Sequence, residues 1–223
     1  MTTLTRNSAQ SLSTVALFAA VMAVLGLVPK IDLPFGVPIT LQSLGVMLAG
    51  CLLGGKRGFQ SLALFLLAVA VGLPLLAGGR GGIGVFMLPS AGYLIGYALA
   101  AGVIGLLMGR LPSKTPKQAA LSALVASVLG GVVFLHALGI AGLVLIAQMP
   151  LEKAFLVDLA FVPGDLVKAV LCAPVARART WARWWEAWGA WGVGRSCGFA
   201  TQRPIGQGLG HGMHHQRTQH GLD

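Results

Sequence analysis

The stretch from Phe161 to Val170, "FVPGDLVKAV", sets an acid and a base three residues apart inside an apolar run. The chain holds only six acidic residues in 223, so an aspartate in such surroundings needs a physical reason. Pro163 suits the first turn of a helix, where its missing amide hydrogen leaves no bond unmade. Asp165 then benefits from the positive end of the helix dipole. Lys168, three residues later, projects from the same face. Within a membrane, ionisable groups of this kind face a bundle interior or a polar cavity and mark a substrate or ion site. The alternative is an ion pair that satisfies itself and serves only to lock a bundle.

Composition identifies the solvent. Hydrophobic residues make up 56% of the chain and charged residues 10%, with a mean hydropathy of +0.80. A water-soluble domain carries about a quarter charged residues, so the bilayer is the solvent expected here. A membrane-spanning helix needs roughly 20 apolar residues. The first 176 residues divide into six apolar segments with charges collected between them: Leu12–Val28, Thr40–Leu53, Gly58–Leu73, Ala91–Met108, Gln118–Ala147 and Pro163–Ala176. The second is short and the fifth long. The expected fold is an all-α membrane protein with six transmembrane helices.

Lysine and arginine accumulate on the cytoplasmic side of membrane proteins. Arg6 precedes the first segment, Lys56 and Arg57 separate the second from the third, and Arg110, Lys114 and Lys117 separate the fourth from the fifth. Arg177, Arg179 and Arg183 follow the sixth, whereas the opposite side has Lys30, Arg80 and Lys153. Both termini are therefore expected to be cytoplasmic. The net charge of +10 is largely this asymmetry plus a basic tail, which argues against nucleic acid as a partner. The first segment lacks a strongly basic leader and an A-x-A site before Pro29, so it is expected to stay as a membrane anchor.

Cys51, Cys172 and Cys197 are widely spaced and odd in number, which implies neither a disulfide framework nor a CxxC metal site. Glycines at four-residue spacing, Gly50/Gly54, Gly92/Gly96 and Gly105/Gly109, permit close helix approach. No inverted internal repeat is evident. "GCLLGGKR" (Gly50 to Arg57) matches the start of a phosphate loop, but Arg57 stands where a hydroxyl would hold magnesium. "GRGGIG" (Gly79 to Gly84) lacks a surrounding strand-turn-helix unit, and Ile104 stands where a ribose-binding acid is needed. It reads as a flexible loop, and the chain is not expected to hydrolyse ATP itself.

Catalysis finds little support. His136 is the only histidine before the tail, G-x-S-x-G and H-E-x-x-H are absent, and a Ser90–His136 dyad would join two isolated residues. A structural histidine bonded within a bundle fits better, so an intramembrane hydrolase is the competing enzyme reading.

A carboxylate accepts two hydrogen bonds side by side, and an ammonium donates to a carbonyl or to a second carboxylate. Asp165 and Lys168 together suit a small molecule bearing both donors and acceptors. The segment "LAGGRGGIGVFMLPSAGYLIGY" (Leu76 to Tyr97) adds Arg80, a candidate anion clamp or a plain solvated charge, and Tyr93. Its glycines allow close backbone approach to a ligand.

Three stretches, "VPITLQSLGVMLAGCLLGGKRG" (Val37 to Gly58), "GLPLLAGGRGGIGVFMLPSAGYLIGY" (Gly72 to Tyr97) and "FVPGDLVKAV", resemble the signature regions of the BioY family. These are the biotin-specific substrate-binding (S) subunits of energy-coupling factor transporters, and the resemblance covers about residues 10–176. It implies an S-component-like bundle in the bacterial cytoplasmic (inner) membrane, with biotin as the transported ligand and no resident cofactor. The implied partners are a transmembrane coupling protein and two cytoplasmic ATPases, so the chain is a transport subunit and not an enzyme. A sister subunit for thiamine or riboflavin is the runner-up.

The resemblance assigns Asp165 and Lys168 to the ureido head of biotin, Asp165 accepting from N–H and Lys168 serving the carbonyl or balancing the acid. Tyr93 would pack against the ring system and Arg80 would attract the valerate carboxylate, two assignments that can be exchanged. Gln42, in the "PITLQ" match, either bonds the ligand or caps and orients the second segment. Family members also carry an A-x-x-x-A stripe on the first helix that docks to the coupling protein. Ala16 with Ala20, or Ala19 with Ala23, is the candidate pair here.

The match fades after Ala176. Trp181, Trp184, Trp188 and Trp191 fall at helical spacing beside Arg177, Arg179 and Arg183, as in an interfacial helix over 177–192. Residues 193–223 lose the periodicity and read as a disordered tail, with His211, His214, His215 and His220 open to adventitious metal.

Overall fold

The computed structural model describes residues 2–32 and 38–176, with side chains placed over 11–30 and 39–176. The segments read as an interfacial helix and a tail, over 177–223, lie outside the described residues. Helix α1 runs Thr2–Gly26, α2 Gln42–Leu53, α3 Gly55–Ala70 and α4 Ala91–Arg110. Helix α5, Pro116–Ala126, passes through a π-helical segment, Ser127–Phe134, into α6, Leu135–Leu145. Helix α7 spans Leu151–Leu159, and the described part of α8 covers 162–176. Apart from helices, the described residues contain one short antiparallel pairing, Ile31–Asp32 (β1) with Pro38–Ile39 (β2).

The ends of these elements follow from local chemistry. Thr115 caps α5 by accepting from the Gln118 amide at 3.2 Å, while Gln118 Oε1 accepts from the Thr115 amide at 3.3 Å. Pro116 fills the first helical position, where no amide hydrogen is needed. Between α2 and α3 the chain turns on Gly54, at φ +81°, a backbone conformation that glycine adopts without a Cβ clash. The phosphate-loop look-alike is therefore a helix-to-helix joint, with Lys56 and Arg57 in the first turn of α3.

Helix α4 is central and packs against α2, α3, the π segment and α6. Its contact with α6 is backbone to backbone: a Cβ on Gly142 would stand 2.6 Å from the Gly92 Cα. Such contacts hold helices together in lipid, where tails as apolar as leucine remove the hydrophobic incentive and close packing takes over. Of the expected glycine pairs, Gly92 and Gly96 both meet neighbouring atoms, whereas Gly54 and Gly109 face open space. The interior holds Met22, Met47, Leu62 and Phe65, yet Leu17, Leu67, Leu106 and Val170 point outward. Apolar side chains on both faces of a helix mark one that meets lipid on its outer side.

Among the described residues, two helices are long and apolar enough to cross a membrane alone, Ala91–Arg110 and Pro116–Leu145. Ser11–Gly26 and Gln42–Leu53 are shorter apolar helices. With 12 residues, α2 extends about 18 Å against the roughly 30 Å of a hydrocarbon core. The most consequential departure from expectation is α7. The sequence reading leaves Leu151–Leu159 in the connection between the fifth and sixth segments, with Lys153 among its loop charges, but the segment is helical and packs against α6.

Candidate functional site

The first two turns of α2, α4 and α8 and the 72–82 loop contribute side chains to one cleft. The cleft between them is lined by Gln42, Arg80, Tyr93, Asp165 and Lys168, the five candidate residues, together with Thr40, Ser43, Tyr97, Leu135 and Phe161 among others. The cavity volume is about 60 Å³.

Asp165 and Lys168 are both buried and joined at 2.6 Å, Nζ to Oδ1. Helix α8 places them one turn apart, with the Asp165 amide bonded back to the Phe161 carbonyl at 3.0 Å. The pair is also tied to α2. Ser43 Oγ donates to Asp165 Oδ1 at 2.9 Å and accepts from Lys168 Nζ at 2.8 Å, and the ammonium donates again to the Thr40 carbonyl at 2.8 Å. All three ammonium hydrogens are thereby used. On Asp165, Oδ1 accepts twice, and Oδ2 lies 3.1 Å from His136 Nε2.

Tyr93 is held at both ends. Its hydroxyl donates to Asp158 Oδ1 at 2.5 Å, and its ring stands edge-on to His136 and tilted at 43° to Phe161. A Cβ at Gly139 would overlap the Tyr93 ring, so only glycine leaves room for it there. His136 spends both ring nitrogens on carboxylates, with Nδ1 2.9 Å from Asp158 Oδ1. A serine hydrolase dyad with Ser90 has no free ring nitrogen to use.

The side chain of Gln42 is bonded to backbone groups of three other residues. Its amide nitrogen donates to the Leu75 carbonyl at 3.2 Å and the Met22 carbonyl at 3.4 Å, and its oxygen accepts from the Ala77 amide at 3.4 Å. It fastens the 72–82 loop to α1 and α2 while lining the cleft. That loop is a built turn, not the slack segment its glycines imply. Leu76 and Arg80 form a bridge, Gly82 leads into a 3₁₀ turn at Ile83–Met87, and Arg80 Nε donates to the Ala77 carbonyl at 3.3 Å.

The alanines of α1 separate into two faces. Ala19 and Ala23 pack on the core cluster around Met22 and Phe65. Ala16 and Ala20 are exposed.

A family model described as the BioY family matches residues 1–185. The chain belongs to the BioY family. It is 46% identical over 174 residues to the biotin transporter BioY of Rhizobium etli, covering 77% of this chain and 93% of that one. With the biotin transporter BioY of Rhodobacter capsulatus it shares 48% over 177 residues, covering 75% and 92% respectively. Its fold matches the crystal structure of the S-component for biotin from an ECF-type ABC transporter at a TM-score of 0.72 and 36% identity. That match covers 80% of this chain and 93% of the other.

Ser43, His136 and Asp158 escape a reading of the sequence as site residues. Ser43 is one hydroxyl in an apolar helix, indistinguishable by pattern from a packing serine. Asp158 lies in the segment read as a loop. The usable signal is pairwise: a chain this poor in acids has two of its six within eight residues of each other, and its one histidine before the tail is available to both.

Proposed function

We propose that this chain captures biotin at the outer face of the bacterial cytoplasmic membrane, as the substrate-specific subunit of an energy-coupling factor transporter. Relatives named as biotin transporters at 46% and 48% identity and the fold match to a biotin S-component support the reading. The observation that carries it is convergence. Five residues chosen from three separate stretches of sequence line one cleft, a buried acid and base among them.

The chemistry fits the ligand. Biotin presents a ureido ring with two N–H donors and one carbonyl, an apolar thioether ring and a carboxylate-tipped chain. Asp165 Oδ2 keeps acceptor capacity toward a ureido N–H, whereas Oδ1 is taken by Ser43 and Lys168. Lys168 balances the acid and reaches the ureido carbonyl by exchanging its bond to Thr40 or Ser43. Tyr93 and Phe161 offer the ring faces that cover the thioether, and Arg80 at the mouth meets the valerate carboxylate. Gln42 keeps the Arg80 loop in place. No resident cofactor enters this account.

In this reading residues 1–176 form the biotin-binding domain and cross the membrane six times, with the α2–α3 joint and the α4–α5 loop on the cytoplasmic side. Lys56, Arg57, Arg110, Lys114 and Lys117 lie at those two connections, as the distribution of positive charge requires. Both termini are then cytoplasmic. The exposed pair Ala16 and Ala20 forms the face toward the transmembrane coupling protein, and the two ATPase partners supply the energy. The test is uptake of radiolabelled biotin by cells lacking their own biotin uptake. Accumulation that rises when the coupling protein and ATPases are co-expressed is expected, and no accumulation in either setting would refute the assignment.

A further inference from the structure

The buried ion pair is part of a larger polar group. Asp158, Asp165, His136 and Lys168 are 4%, 7%, 5% and 7% exposed, and they form a continuous hydrogen-bonded chain with Tyr93 at one end and Ser43 at the other. The ring of His136 lies between two carboxylates, Nδ1 at 2.9 Å from Asp158 Oδ1 and Nε2 at 3.1 Å from Asp165 Oδ2. A neutral imidazole has one donor and one acceptor nitrogen, and an ionised carboxylate only accepts. A neutral ring would therefore set a lone pair against one of the two acids. Placing the proton on Asp158 Oδ1 instead keeps every contact paired, since a hydroxyl oxygen donates to Nδ1 and still accepts from Tyr93, but it gives up the charge-assisted bonds of an imidazolium between two carboxylates. Lys168 brings one positive charge against two negative ones, so a single further proton on His136 makes every contact a donor facing an acceptor and balances the group.

We propose that His136, as an imidazolium donating through both ring nitrogens, is the positioning residue of the site: it couples Asp158 and the Tyr93 ring to Asp165 and fixes the carboxylate that meets the ligand. This rests on the reading of the cleft as a biotin site. The fold is arranged around the ring. The π-helical segment ends at Phe134, two residues before His136, and π segments frequently mark functional positions in helices. Gly139, one turn after His136, leaves the space that the Tyr93 ring occupies. Tyr93 is thus confined by its hydroxyl on Asp158 and by its ring against α6, and His136 carries that constraint across to α8. Without the brace, Asp165 keeps its bonds to Ser43 and Lys168 through Oδ1 but loses the contact that orients Oδ2.

Donor accounting separates this role from one of shape. In His136→Gln, the side-chain amide donates to one carboxylate and turns its oxygen toward the other, leaving an unbalanced negative charge. Biotin binding by the purified full-length protein should weaken by about 100-fold. Asp158→Asn, with its amide nitrogen in the place of Oδ1, donates one N–H to a neutral His136 and the other to the Tyr93 hydroxyl oxygen, exchanging charge-assisted bonds for ordinary ones, so it should weaken binding by only about fivefold. In the double variant, His136→Gln with Asp158→Asn, the introduced glutamine donates to Asp165 and accepts from the introduced asparagine. That variant should bind within about tenfold of the wild type, tighter than His136→Gln alone. A residue that merely filled space would show no such recovery. Binding by His136→Gln within about threefold of wild type, or a double variant no tighter than that single one, overturns the proposal.

The second measurement does not depend on either outcome. In the wild-type protein labelled with ¹⁵N-histidine, the resonances that change in Asp158→Asn should show both ring nitrogens protonated at neutral pH. A single-proton neutral tautomer there would also overturn the proposal, even if His136→Gln failed to fold. If the wild type bound no biotin while the doubly protonated ring was observed, the function would be at fault and not the brace.

Discussion

Lys168 Nζ stands 2.6 Å from Asp165 Oδ1, and neither group is left to the other alone. Ser43 bridges them from α2, and the Thr40 carbonyl takes the remaining ammonium hydrogen. The pair therefore couples the start of α2 to α8 and leaves one carboxylate oxygen directed away from the lysine. A simple helix bolt needs no cleft beside it, whereas both residues here line one.

Asp165→Asn and Lys168→Met should each abolish most biotin binding while the protein still inserts. Stranding a buried charge costs about 3 to 5 kcal/mol, so thermal unfolding and size-exclusion profiles must accompany titration calorimetry. A folded variant that binds as wild type does would remove that residue from the site.

Ligand variants test the orientation. Converting the biotin carboxylate to an amide should weaken binding less than altering the ureido ring, because the ureido is placed against Asp165 deep in the cleft and the carboxylate at its mouth. Equal losses in competition titrations would contradict that order.

Gly139→Ala forces a methyl group into the ring of Tyr93. Overpacking of this kind costs about 1 to 3 kcal/mol. The expected outcome is a lowered melting temperature together with weaker biotin binding, since Tyr93 cannot move without disturbing its bond to Asp158. Unchanged binding in the folded variant would show that the Tyr93 ring does not touch the ligand.

The two alanine pairs of α1 should respond differently to bulk. Ala16→Trp with Ala20→Trp, on the exposed face, should preserve biotin binding by the isolated subunit and prevent co-purification with the coupling protein. Ala19→Trp with Ala23→Trp should destabilise the bundle, because that face packs on the core. Assembly and uptake by the first double variant would place the partner surface elsewhere.

What is legible in the sequence, and what is not, divides along physical lines. Apolar runs interrupted by charges mark α4 and the α5–π–α6 rod to within two residues at each end, because lipid exposure and burial alike demand apolar side chains. Asp165 and Lys168 stand out because charge in such a run is costly and therefore informative. Helix α7 is hidden for the opposite reason: Glu152, Lys153 and Asp158 give it the composition of a loop. The loss of α7 conceals Asp158, and with it the second partner of His136. Nor does spacing reveal which side of α1 meets the core, since Ala16/Ala20 and Ala19/Ala23 have the same period. Only packing distinguishes them.

The central claim is tested most directly by calorimetric titration of the purified full-length protein with biotin, riboflavin and thiamine in turn. The account predicts saturable binding of biotin at one site and no measurable heat of binding for the other two. Absence of biotin binding by folded protein, or equal binding of either other vitamin, would contradict it.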